Sequence, residues 1–357
     1  MGQRSYGAHD DAARTYDAVL YLSFGGPEGP DDVLPFMANV TRGRGVPPAR
    51  LEEVSSHYQL FGGVSPINSQ NRAVIGALRE QLKRNGPDLP VYWGNRNWHP
   101  MLADTMKHMR DDSVRRAVAF VTSAYSSYSG CRQYREDIAR AQAEVGEGAP
   151  KVDKLRVFYN HPGFIEPQVE KVDVALKAIP PDRRAEARLA FTAHSVPMQM
   201  ADTSSYTQQL SEACRLVVER LEHAHDWDLA WQSRSGPPQV PWLEPDIVDH
   251  IEKLHSAGVE DLVVVPVGFV SDHLEVRYDL DIQAAETAAR LGMNIVRAEA
   301  VGAHPRYIRM IRDLIAERMS ANPERSALGE CGPSHDICGA TCCPADQPPA
   351  GGQRTRS

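Results

Sequence analysis

Short apolar runs rich in β-branched and aromatic residues recur along the chain. They read AVLYLSF (18–24), PVYWG (90–94), AVAFVTS (117–123), KLRVFYN (154–160), RLAFTAHS (188–195), DLAWQS (228–233), DLVVVPVGF (261–269) and NIVRAEA (294–300), and each predicts a strand. Between most of them the apolar positions repeat at helical spacing, as in QNRAVIGALREQLKRN (70–85) and YTQQLSEACRLVVERLEHA (206–224). Strands alternating with amphipathic helices predict an α/β fold of βαβ units with parallel sheets. The strand runs are almost continuously apolar, as suits strands covered on both faces. A division near residues 160–180 gives two α/β lobes, with a short cysteine-rich tail after about residue 326. No internal repeat is apparent.

Composition narrows the function. At 357 residues, 42% apolar and 24% charged, the chain has room for two compact domains. Its net charge of −8 and the lack of a basic run argue against a nucleic-acid partner. No apolar run approaches the ~20 residues that span a bilayer, and the opening MGQRSYGAHDDAARTYD has no signal-peptide core. The expectation is a cytoplasmic protein without an integral membrane segment. In a reducing compartment, clustered cysteines read as metal ligands or redox groups rather than disulfides.

In open α/β sheets ligands bind beyond the carboxyl ends of strands. Four such places carry chemistry. SFGGPEGP (23–30) lets a backbone approach a ligand closely, yet has neither dinucleotide nor P-loop spacing. TAHSVP (192–197) puts His194 where a strand gives way to a turn. VGFVSDHLEVRYDLD (267–281) carries Asp272, His273, Glu275, Asp279 and Asp281, with Glu275 and Asp279 on one face if helical. WQSRSGPPQVPWLEPD (231–246) is a proline-rich loop with Trp231 and Trp242. A lone histidine is ordinarily structural and an acidic run ordinarily solvated. Carboxylates beside an apolar strand end, however, have raised pKa values, and with a histidine they can bind a divalent metal or move protons. Residue chemistry alone reaches an α/β enzyme with a His/Glu/Asp site.

The segments LSFGGPEGP, NVTRGRGVP, FGGVSPIN, FTAHSVP, AWQSRSGPPQVPWLEPD and PVGFVSDHLEVRYDLD together resemble ferrochelatase, in order from about Tyr16 to about Arg318. TRGRG, SAYSSYSGCRQY and the cysteine tail resemble the actinobacterial branch, which acts on coproporphyrin III. The resemblance implies two Rossmann-like lobes with a porphyrin cleft between them. It gives a flexible amino terminus (1–15), lobes at 16–165 and 166–326, a cluster-binding tail (327–345) and a disordered end (346–357). It implies Fe²⁺ insertion in haem biosynthesis and transient contact with neighbouring haem-pathway enzymes. His194 and Glu275 match the metal-insertion pair, with Asp279 as a further acid. Ser65 and Tyr134 fall at porphyrin-contacting positions, and Arg42 and Arg44 in a loop that approaches propionates. Two positions depart from relatives: Phe24 stands where some carry an iron-ligating tyrosine, and Gln283 interrupts the acidic ladder. Insertion into protoporphyrin IX, and a non-catalytic tetrapyrrole or iron carrier with a redox-sensing tail, are the alternatives. The charged, polar ARLEEVSSHYQL (49–60) favours coproporphyrin, having no membrane-seeking run.

ECGPSHDICGATCCPA (330–345) holds four of the six cysteines, spaced C-x₆-C-x₃-C-C. That is irregular for a zinc ribbon but sufficient for a [2Fe–2S] cluster. The resemblance implies three tail ligands and one from the body: Cys131, Cys331, Cys338 and Cys343, with Cys342 the alternative to Cys343. Cys214 lies in an apolar helical stripe and reads as a buried structural thiol.

Overall fold

The computed structural model describes residues 7–43 and 46–345. The chain runs through β1 (Gly7–Ala8), β2 (Ala18–Ser23), α1 (Val33–Val40), α2 (Pro48–Gln59), α3 (Ile67–Asn85), β3 (Val91–Asn95), α4 (Leu102–Asp111), β4 (Arg116–Val121), α5 (Gln133–Val145) and β5 (Lys151–Lys154). It continues through α6 (Pro162–Lys177), β6 (Arg188–His194), α7 (Met198–Asp202), α8 (Tyr206–Val218), β7 (Trp227–Gln232), α9 (Ile247–Ser256), β8 (Asp261–Val265) and α10 (Leu274–Val276). A π-helical turn (Arg277–Ala284), α11 (Ala285–Leu291), β9 (Asn294–Arg297), α12 (Pro305–Met319) and β10 (Ile337–Cys338) complete it.

Two four-stranded parallel sheets result, in the orders β3-β2-β4-β5 and β7-β6-β8-β9. The order is the same in both halves although no sequence repeat is visible. Each sheet reverses its winding beside its first strand, and that switch creates a crevice at the carboxyl ends. All six residues of β2 and all five of β8 are buried, as their apolar runs require. α3 buries Val74, Ile75, Leu78 and Leu82 at helical spacing and stops at Gly86, whose φ of 62° suits a residue without Cβ.

The run predicted as a strand at 154–160 is a correction. β5 comes earlier, at Lys151–Lys154, and is a polar edge strand paired only with β4. Leu155, Val157, Phe158 and Tyr159 are buried without a ladder, in a core cluster that also holds Val19 and Phe120 from the first sheet and Phe191 and Val263 from the second. Their apolar character comes from crossing that shared core. The division expected at residue 165 falls within α6, which packs against α8 and α12, and α12 also packs against α3.

Residues 7–15, expected to be flexible, lie along the body: β1 pairs antiparallel with β10, and Asp10 meets Arg14 and Arg318. The expected disordered end, 346–357, lies outside the described residues.

Candidate functional site

His194 is the last residue of β6, where the second sheet reverses its winding, and its side chain is one-third exposed. Its Nδ1 lies 2.5 Å from the Ser195 carbonyl. A carbonyl can only accept, so the neutral ring carries its proton on Nδ1 and keeps a lone pair on Nε2. That Nε2 stands 3.8 Å from Glu275 Oε2. His273 Nδ1 stands 4.0 Å from the same oxygen, and it accepts from the Val276 amide at the start of α10. Burial holds the His273 imidazole below its usual pKa, and the nearby Glu275 carboxylate only partly opposes this. Tyr206 donates to the His194 carbonyl at 3.0 Å and fixes the strand end.

Asp279 lies in the π-helical turn that follows Glu275, an irregularity frequent at functional sites. It accepts from Gln232 Nε2 at 3.1 Å and from the Ser233 hydroxyl. Burial pushes its carboxyl up to about 6, against the opposing effect of the Ser233 hydrogen bond. Arg297 of β9 ties this segment down at both ends, pairing with Asp272 at 3.1 Å and Asp281 at 2.5 Å.

The first half covers the site from above. Leu274 inserts among Val33, Phe36, Met37 and Tyr58 of α1 and α2. His57 stacks on Tyr278 at 3.8 Å, and Arg277 lies 5.0 Å from the centre of the Phe61 ring. The loop 233–246 closes one side, with Ser195 Oγ donating to the Leu243 carbonyl at 2.8 Å and Pro197 bridged to Trp242.

Ser65 is buried against the glycine loop after β2. Its amide donates to the Pro27 carbonyl, and a Cβ on Gly26 would lie 2.9 Å from its hydroxyl. Tyr134 is buried at the start of α5, with the Arg96 guanidinium 4.5 Å from its ring centre. Both stand by the carboxyl ends of the first sheet. Arg42 is exposed and hydrogen-bonds Asn39. Arg44 lies outside the described residues. His273, Arg96 and Arg297 were not singled out by sequence. The first sat in the acidic segment already identified, whereas the arginines offered no local signal, because their partners are distant in the chain.

A second group of polar side chains forms where the tail meets the body. Cys131, in the turn before α5, hydrogen-bonds Cys338, which also meets Cys342 and His335. Cys342 Sγ lies 3.7 Å from Cys343 Sγ and 3.8 Å from His335 Nε2. The Cys131 hydrogen bond lowers the Cys338 thiol pKa and raises that of Cys131. Arg132 holds the tail by donating to the Ala340 and Cys342 carbonyls. Lys154 is partly buried beside Cys131 and Cys338, donating to the Leu155 carbonyl at 2.9 Å, and Arg135 Nη1 is buried without a hydrogen-bond partner. Soft donors with unneutralised cations beside them fit a group of thiolates carrying net negative charge. Of the expected ligands, Cys131, Cys338 and Cys343 come together, along with Cys342. Cys331 is not among them: among the described residues no hydrogen bond joins it to the other thiols. Asn160 Nδ2 holds the carbonyls of Leu328 and Gly332, pinning the Cys331 turn near the start of α6. Cys214 is fully buried, as expected.

A hollow of about 720 Å³ lined by Arg183, His255, Glu260 and Asn294 lies at the amino ends of β8 and β9, opposite His194. Neither the His194 site nor the thiol group contributes a residue to its lining.

The paired parallel sheets, with side chains gathered at their carboxyl ends, define a chelatase-like fold. SirB from Bacillus subtilis, solved with Fe³⁺, shares it with a TM-score of 0.53 at 11% identity, over 85% of this chain and 96% of that one. The family model described as Ferrochelatase matches residues 16–319, and the chain belongs to the ferrochelatase family. It is 52% identical to the coproporphyrin III ferrochelatase of Streptomyces griseus, over 93% of this chain and 94% of that protein. It is 53% identical to the ferrochelatase of Rhodopirellula baltica, over 95% and 97%.

Proposed function

We infer that the protein inserts ferrous iron into coproporphyrin III, giving iron coproporphyrin III and two released protons, in haem biosynthesis. The observation that carries this is the free Nε2 lone pair of His194 facing the Glu275 carboxylate at a carboxyl-terminal strand end. The similarity to coproporphyrin III ferrochelatases supports the same substrate.

Metal insertion needs a group that accepts pyrrole protons and oxygen or nitrogen donors that hold the incoming ion. His194 Nε2 takes the proton or presents the imidazole to iron, and Glu275 supplies the carboxylate beside it. Asp279, kept partly protonated by burial, is placed to pass protons onward. Ser65 and Tyr134 contact the macrocycle, while Arg42 and Arg44 serve its carboxylates. Lobes at 16–165 and 166–326 are the units between which the ring is held.

The thiol group holds a [2Fe–2S] cluster, a one-electron redox group, in this reading; the convergent sulfurs and the neighbouring Lys154 ammonium support it. Iron insertion changes no oxidation state, so the cluster's contribution is to hold the tail. A cytoplasmic location, with transient contact with neighbouring haem-pathway enzymes, belongs to the same reading; no helix among the described residues is long and apolar enough to cross a membrane.

Anaerobic turnover with Fe²⁺, comparing coproporphyrin III with protoporphyrin IX at matched solubility, tests the assignment. Faster insertion into coproporphyrin is expected, and the opposite preference overturns the substrate.

A further inference from the structure

The amino-terminal segment is built into the thiol site. Gly7 pairs with Cys338 and Ala8 with Ile337, and the Asp336 amide donates to the Ala8 carbonyl at 3.1 Å. Gly7 sits so close that a Cβ there would lie 2.0 Å from the Ile337 carbonyl oxygen and 2.3 Å from the His335 ring. No larger residue fits without moving the strand that carries Cys338.

A two-residue ladder does not hold itself in water. Charge does the rest. The Asp336 carboxylate, shielded from solvent, accepts from the Asp10 amide at 3.0 Å and from Arg325 at 2.8 and 3.1 Å. Asp10 pairs with Arg14 at 2.6 Å and with the buried Arg318 at 3.1 Å. Arg325 reaches Asp11 at 2.9 Å and the Asp10 carbonyl at 3.3 Å. Removing one partner leaves buried charges uncompensated, so the network stands or falls as a unit.

The tail has little else to order it. Between 327 and 345 only Ser334, Asp336, Cys342 and Cys343 are buried, and two of these are thiols of the site. A segment with so little apolar burial cannot offset its own ordering entropy.

We propose that residues 7–11 are a strap that positions Cys338, so that metal retention by the thiol group and docking of the amino terminus stabilise each other. This rests on the reading that the thiols hold a metal group. Linkage then requires reciprocity: what favours the docked strap slows metal loss, and bound metal protects the strap.

The test uses the full chain, prepared anaerobically, with Asp10→Ala, which touches no thiol and lies outside the His194 site. The variant should lose iron and labile sulfide to a ferrous chelator about fivefold faster than the parent while binding coproporphyrin equally well. In the parent, amides 7–10 should exchange hydrogen about tenfold more slowly when loaded than when stripped. Equal metal release and exchange indifferent to loading overturn the strap. A parent chain that never contains iron, sulfide or zinc overturns the metal reading alone. The strap is then judged by alkylation of Cys338 in metal-free protein: faster reaction in the variant upholds it, and equal rates sink it.

Discussion

The carbonyl of Ser195 decides what His194 can do. Because it engages Nδ1, the nitrogen facing Glu275 is the one with a free lone pair. His194→Ala should therefore lower metal insertion by about 10²-fold or more while leaving porphyrin affinity within a factor of about three. Glu275→Gln, which keeps shape and removes charge, should do the same; stopped-flow insertion alongside porphyrin fluorescence titration separates the two effects. Near-parental turnover by either variant would remove that residue from the mechanism. Asp279 gives a pH signature. Burial holds its carboxyl at about 6 in the folded chain, so the folded state binds this proton more tightly than the unfolded one. Its contribution therefore lowers stability as pH rises from the ordinary carboxylate range, about 4, through 6. Relative to the parent, Asp279→Asn should gain on the order of 3 kcal/mol between pH 4 and pH 7, read by urea unfolding at both ends. A constant difference across that range would mean that Asp279 titrates normally.

The strands at the centres of the two sheets were legible because burial on both faces makes them continuously apolar, as in AVLYLS and DLVVV. The edge strand β5 was not, since KVDK carries no such pattern and the apolar residues after it belong to the crossing between sheets. His194 and Glu275 were legible as a pair from their motifs. Cys342 was not distinguishable from Cys343 as a ligand, and Cys331 was read as one, because spacing does not say which way a glycine- and proline-rich turn folds back. Arg297 was invisible for a related reason: its carboxylates lie 25 and 16 residues away. It holds both ends of the segment bearing Glu275 and Asp279. Arg297→Met should thus reduce insertion about tenfold or more and cost about 2 kcal/mol of stability, with Arg297→Lys recovering part of both. Loss of stability with unchanged kcat would reduce it to a fold determinant.

The two sheets form one body. Tyr125 of the first half donates to the Val267 carbonyl of the second, Gln209 bonds Ser126 from the opposite direction, and one core cluster runs through both. The thiol group joins a third region, the tail, to that body, and its composition is checkable. Cys342→Ser should lower iron and sulfide from about two of each per chain and reduce soluble yield, while Cys331→Ser should leave both near parental levels. The reverse result would make Cys331 the ligand, as the sequence reading has it. α12, residues 305–319, completes the covering of α3, and Asp10 meets Asp336 across 326 residues of chain. During synthesis, then, the first half emerges from the ribosome with the side of α3 that α12 packs against still uncovered, and it stays so until α12 is made. Contacts of such long sequence separation form late, because closing the intervening loop costs entropy before any contact returns it. The nascent chain thus carries apolar surface awaiting its partner through most of its length, and the thiols of the tail are among the last side chains to reach the body.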